Sequence, residues 1–385
     1  MRHPMLRPAA ALAALALLIG ACDSDKDIEP PVALVAINAK LAVQRVWSAS
    51  MGGKDRSLRL ELAPAAAAGK VYAAGGDGAL AAFEGASGKT LWRRDTKLAL
   101  SGGPAVGSGL VVAGSSDGQL VAVDAATGEP RWRVRVSGEV LSAPVIAPQA
   151  VIVRTVDGRV RGLALDSGKE LWSNEQPVPR LTLRGVSRPA LAGDTVVCGF
   201  DNGKVAAYGV ASGDTLWETA VSPPRGKTEL ERLVDIDGPL AVSGHDVFVA
   251  GFQGRVAMIA LDSGQIWWSR EASSYRGIAL AGETIYMTTA DSLVMALRRR
   301  DGTPLWQQDR LARRGLTAPA IDGDAVVVAD FEGYVHWLDQ SSGALIGRIS
   351  AGGTRYTNAP VAADGFVYLQ NDAGELYALR AQPSK

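Results

Sequence analysis

The feature that most constrains this chain is a repeat of about forty residues. A small or polar residue followed by Gly, with Trp four positions after the Gly, occurs at Ser87-Gly88…Trp92, Thr127-Gly128…Trp132, Ser167-Gly168…Trp172, Ser212-Gly213…Trp217, Ser263-Gly264…Trp268 and Asp301-Gly302…Trp306. Ser342-Gly343 holds the same place with Gly347 where Trp is due, and Trp47 precedes the series. Seven of the nine Trp therefore share one phase, which chance does not produce.

The rest of each unit keeps that phase. Pro64, Pro104, Pro144, Pro189, Pro239, Pro319 and Pro360 each open an alternating Val/Ala/Leu run, and only the unit after Trp268 lacks this proline. A tight turn with Gly follows at Asp77-Gly78, Asp117-Gly118, Asp157-Gly158, Asn202-Gly203, Gln253-Gly254, Glu332-Gly333 and Ala373-Gly374. Asp-Gly and Asn-Gly accept the positive φ of a two-residue hairpin and so pin the strand register. Each period reads as four short antiparallel strands. Sheets of this size hide their faces only against neighbours, so the pattern predicts an all-β fold, an eight-bladed β-propeller of four-stranded antiparallel blades. Seven units are complete; the eighth takes three strands from around Pro360 to Leu379 and its Trp strand from Val46-Trp47-Ser48. The ring is then closed by the N-terminal strand.

Composition sets limits on partners. Forty Lys and Arg balance forty Asp and Glu across 385 residues, so there is no basic face for nucleic acid and no acidic tail. A hydrophobic content of 47% with 44 Gly describes a turn-rich body that buries a large core.

The first 21 residues read as an address. Arg2 and Arg7 precede the apolar run Ala9 to Gly20, too short to span a bilayer comfortably. The run ends Leu18-Ile19-Gly20-Ala21-Cys22, which resembles the lipobox of bacterial lipoproteins and implies acylation of Cys22. Acyl chains anchor a protein at roughly 0.8 kcal/mol per buried methylene without a spanning helix. The expected organisation is a signal peptide over 1–21, a lipidated flexible tether over 22–43 and the propeller over 44–385. Lipidation of Cys22 leaves Cys198 as the single mature thiol, in a strand-like apolar context that predicts a buried, inert side chain.

The Gly-x-x-x-Trp unit also resembles the docking repeat of pyrroloquinoline-quinone dehydrogenases, so a quinoprotein is one alternative and a glycan-binding periplasmic propeller another. Against the first, a single free cysteine cannot form the vicinal disulfide typical of those enzymes. His245 and His336 lie in no motif with metal spacing, and no nucleophile elbow, P-loop or zincin motif occurs. The residues point to no catalytic site, no metal and no cofactor.

Irregularity in the array marks the candidate site. From a Trp position to the next Pro the chain runs 12 or 13 residues in four units, but 17 after Trp47, 17 after Trp172 and 22 after Trp217. The last two links flank one blade and share one face of the ring. The first contains Pro179-Arg180-Leu181-Thr182-Leu183-Arg184-Gly185, and the second ends Leu233-Val234-Asp235-Ile236-Asp237-Gly238. Two readings stand even on the residues alone. Leucines beside Arg in a protruding loop are interface anchors, with the Asp pair offering charge-assisted contacts. Alternatively the leucines plug the space between blades, and Arg184 pairs internally with Asp235 or Asp237.

These two segments, together with the lipobox, the eight repeats and Phe331-Glu332-Gly333-Tyr334-Val335-His336-Trp337, resemble the BamB family, lipoprotein subunits of the outer-membrane β-barrel assembly machinery. The resemblance covers nearly all of the mature chain. It implies a non-enzymatic scaffold whose leucine-arginine loop and aspartates dock the periplasmic POTRA domains of the barrel-forming subunit, here Leu181, Leu183, Arg184, Asp235 and Asp237. It also implies other assembly-machinery lipoproteins as partners, unfolded outer-membrane proteins as clients, and a lipid-anchored place on the periplasmic face of the outer membrane. Asp23 departs from that pattern, because an aspartate after the acylated cysteine retains lipoproteins in the inner membrane of enteric bacteria.

Overall fold

The computed structural model describes residues 29–53 and 60–384. Its strands form eight four-stranded antiparallel sheets arranged as the blades of a ring. Seven run in chain order, over 65–95, 100–135, 145–175, 190–220, 241–271, 278–308 and 320–350, and are numbered blades 1 to 7. Blade 8 joins the two ends of the chain. Leu41–Ser50 lies antiparallel to Glu375–Pro383, with Leu41 opposite Pro383 and Ser50 opposite Glu375.

Burial follows position in the blade. The second and third strands, such as Leu110–Ser115 and Gln119–Asp124, are covered on both faces by adjacent blades and carry unbroken small and branched apolar side chains. The innermost strands, such as Ala65–Ala67, Ala190–Ala192 and Val361–Ala363, line the axis and are half-buried. Outer strands alternate: in Thr90–Asp95, Trp92 is covered while its neighbours are not.

The repeat's Gly and Trp sit in one blade but make their contacts with different neighbouring blades. Each indole Nε1–H donates to a carbonyl in the turn ahead of the following blade's outer strand: Trp92 to Ala125 at 3.1 Å, Trp132 to Leu165 at 2.8 Å, Trp217 to Leu261 at 2.6 Å, and Trp47 across the closure to Gly85 at 2.7 Å. The ring lies flat on that blade's Gly, so close that a Cβ on Gly128 would stand 2.6 Å from Trp92. Gly128 also has φ +72°, so a side chain there would be both strained and obstructed. Burying an indole of 150–250 Å² is worth at most about 4–6 kcal/mol at the usual area coefficient.

Blade 7 lacks this staple, and a different device replaces it. A Cβ on Gly347 would sit 3.2 Å from Leu41 and 3.3 Å from Val43, so the closing strand fills the place of the missing indole. This corrects the expected tether over 22–43. The chain joins the compact body at Val32, Lys40 N–H donates to Ile346 O at 2.8 Å, and Leu34 and Ile37 rest on the apolar cluster of blades 6 and 7. Residues 32–43 are mostly apolar, with Val32, Leu34, Ile37, Leu41 and Val43 half-buried and exposed residues between them, which suits a strap laid along a blade. The signal segment, Cys22 and Asp23 lie outside the described residues.

Candidate partner-docking surface

In an up-and-down blade the second hairpin and the link to the next blade emerge on the same side, here called the link face. The links 176–189 and 221–240 flank blade 4 on that face.

The second link is built first. Thr228 and Glu231 form a capping box: Glu231 N–H donates to Thr228 Oγ1 at 3.2 Å, while Glu231 Oε2 accepts from Thr228 N–H at 3.1 Å and Lys227 N–H at 2.7 Å. The turn this fixes leaves Leu230 63% exposed and turns Leu233, Val234 and Ile236 inward, where they are buried. Ile236 N–H reaches Phe200 O, and Asp235 O accepts from Phe252 N–H, which stitches the link to blades 4 and 5.

On this floor stands the first loop. Leu183 N–H donates to Asp235 Oδ2 at 2.5 Å, and Arg184 N–H to Thr182 Oγ1 at 3.1 Å. Arg184 takes a left-handed φ of +57°, a strained conformation for a side-chain-bearing residue. Gly185 is obligatory, since a Cβ there would lie 2.3 Å from the Asp237 carboxyl carbon. Ser187 Oγ donates to Gly238 O at 3.0 Å and ties the loop's end to the second link. The loop therefore presents Leu181, which is 42% exposed, and Arg184 to solvent, with Leu183 half-buried between them.

The two aspartates are not on the surface. Asp235 is fully buried and Asp237 nearly so, a correction to the expectation that they offer contacts to a partner. Leu183 N–H and the close seat of Gly185 draw them under the loop. The Arg184 guanidinium grips Glu139, from the link before blade 3, through two bonds of 2.8 Å and keeps its side chain 57% exposed. Below the loop, Arg154 and Asp201 form a buried ion pair at 2.6 Å, with the guanidinium 4.9 Å from the Phe200 ring centre. Burial pushes the Asp235 carboxyl up to about 7, with Asp237 and Asp201 adding repulsion and the Leu183 N–H and Arg154 opposing it. Cys198 is buried close by, and burial raises its thiol to about 12.

On the link face these two links expose the apolar side chains of Val178, Leu181 and Leu230, together with the cationic Arg184. Val178 and Leu230 add to the predicted set; Leu230 was legible through the Thr-x-x-Glu box that aims it outward. Glu139 was not, because it is 45 residues from Arg184. Among the described residues no group of three or more His, Cys, Asp or Glu side chains is placed to hold a metal ion.

A family model described as "Outer membrane protein assembly factor BamB" matches residues 76–308 and 300–383. The chain belongs to the BamB family. It is 41% identical to the BamB of Pseudomonas aeruginosa over 96% of this chain and 97% of that one, and 51% identical to the BamB of Marinobacter adhaerens over 88% and 86%. The crystal structure of BamB from Moraxella catarrhalis superposes with a TM-score of 0.81 at 28% identity, covering 88% of this chain and all of the other. A quinohemoprotein alcohol dehydrogenase from Comamonas testosteroni shares the fold at a TM-score of 0.68 and 12% identity. At that identity the likeness shows the propeller fold alone.

Proposed function

We propose that this chain is a non-enzymatic scaffold of outer-membrane protein assembly, docking the periplasmic POTRA domains of the barrel-forming subunit through its link face and assisting the delivery and insertion of outer-membrane proteins. Membership of the BamB family supports the setting. The observation that carries the site is a rigid loop that exposes Leu181 and Arg184 while two buried aspartates hold it from beneath. Loops ordered before binding lose little entropy on docking, so an apolar anchor with an arginine beside it converts contact into affinity.

In this reading Leu181, Leu183 and Arg184 touch the partner, with Leu230 extending the patch. Asp235 and Asp237 are positioning residues, acting through the loop they support. Cys22 supplies the lipid anchor on the periplasmic face of the outer membrane.

The test is co-purification of the barrel-forming subunit from detergent-solubilised envelopes. Leu181→Ala and Arg184→Ala should each weaken the complex by about 1–3 kcal/mol and leave the melting temperature almost unchanged, because both side chains face solvent. Undiminished capture by the double variant overturns the site.

A further inference from the structure

On the far side of the ring from the docking loop, blade 7 carries a cluster of buried charges that the proposed docking does not use. Arg314, from the link before blade 7, is 2% exposed and holds Asp330 through Nε at 2.8 Å and Glu332 through Nη2. His336, fully buried, places Nε2 at 3.1 Å from the same Asp330 oxygen. Arg348 Nε–H then donates to His336 Nδ1 at 3.2 Å. That bond fixes the imidazole as neutral, with its proton on Nε2 facing the carboxylate and a lone pair on Nδ1 facing the guanidinium. Two cations and two carboxylates balance around an uncharged ring.

Both arginines reach beyond the cluster to the N-terminal strap. Arg314 Nη1 donates to Val32 O at 3.1 Å, and Arg348 Nη1 donates to Val35 O at 3.0 Å. Val32 N–H and Lys40 N–H add bonds to Ala312 O and Ile346 O. Arg314 is locked in by two carboxylates, whereas Arg348 is half-buried, and Asp330, its nearest carboxylate, is already shared by Arg314 and His336.

We infer that His336 is a proton-operated latch for the N-terminal strap: a proton on Nδ1 sets two donors against each other, expels Arg348 and frees the strap at Val35. The groups facing the ring are Asp330 and Glu332 from the hairpin, Tyr334 on its own strand, Arg314 from the preceding link, Arg348 on the outer strand and Tyr356 from the following link, whose N–H bonds Asp330 O. Asp330 favours the imidazolium, but burial and the two guanidiniums outweigh it and hold the His336 pKa below its ordinary value. The sign follows. Withdrawing Arg348 removes one repulsion from the ring, so the released strap leaves His336 binding more protons than the docked one, and docking is present while the imidazole is neutral and weakens as pH falls. If Cys22 is the anchor, the tether to Val32 spans at most about 35 Å, and release as far as Lys40 extends that reach to roughly 60 Å.

Hydrogen exchange of the Val32 and Lys40 amides, the strap N–H groups bonded to Ala312 O and Ile346 O, in the full mature chain, with labelling times scaled for the chemical exchange rate, reads the latch directly and needs no partner. Exchange should be slow at pH 8 and accelerate by up to about tenfold per pH unit below pH 6. In His336→Gln, where the amide can bond both neighbours without titrating, exchange should stay slow at every pH. In Arg348→Ala, which removes a half-buried group and leaves the core intact, it should be fast at every pH. Exchange unchanged from pH 8 to 5, or the same acid response in both variants, overturns the latch.

Discussion

Asp235 carries a lesson that holds for single residues. Its neighbours Leu233, Val234 and Ile236 are apolar, and the alternation around it reads equally well as an exposed acidic edge or as a buried strip. The structure decides for burial, because the Leu183 N–H needs an acceptor beneath the loop and Asp235 Oδ2 supplies it. A carboxyl raised to about 7 is protonated in the folded chain over a range where the unfolded chain has released its proton. Stability tied to Asp235 is therefore greatest near pH 4 and declines as pH rises to about 7. Asp235→Asn, neutral and still able to accept the Leu183 bond, should melt with the parent at about pH 4 and roughly 5 °C above it at pH 8. Partner capture separates support from contact: the Asn variant should bind as the parent does, and Asp235→Ala should not. Equal loss in both would make Asp235 a direct contact.

At the scale of the blade, the Gly-x-x-x-Trp pattern was fully legible, yet its meaning changed on folding. The Gly and the Trp of one repeat never touch; each meets the partner residue of the adjacent blade, so the pattern encodes the interface between repeats. Trp132 rests on Gly168 and bonds Leu165 O at 2.8 Å. Trp132→Ala should cost about 3–5 kcal/mol through the cavity it opens, measured by denaturant unfolding. A loss under about 1 kcal/mol would remove the indole from its place as a staple. Leu181 and Leu230 were legible as loop residues out of phase with the repeat, whereas the left-handed turn at Arg184 was not, and its grip on Glu139 reaches a link four strands earlier in the chain.

For the molecule as a whole, the split blade makes closure of the ring depend on the first fifty residues. Leu41–Ser50 supplies the outer strand of blade 8, the indole that docks on blade 1, and the leucine and valine that stand in for an indole at Gly347. A chain beginning at Met51 should melt roughly 10 °C or more below the parent, with a broader transition. A sharp melt at the parent's temperature would show that the ring holds without its closing strand.

What the sequence determined by itself was everything periodic: the four-stranded unit, its eight-fold count, the turn residues and the two overgrown links. Periodicity is local information, set by propensity and by alternation along the chain, and it survives without knowledge of neighbours. Only the tertiary structure decided where charge goes. It placed the aspartates beneath the loop, gave Arg184 to Glu139, turned the supposed tether into a strap and surrounded His336 with balanced charges, because pairing and burial are settled by residues that meet across blades and not along the chain.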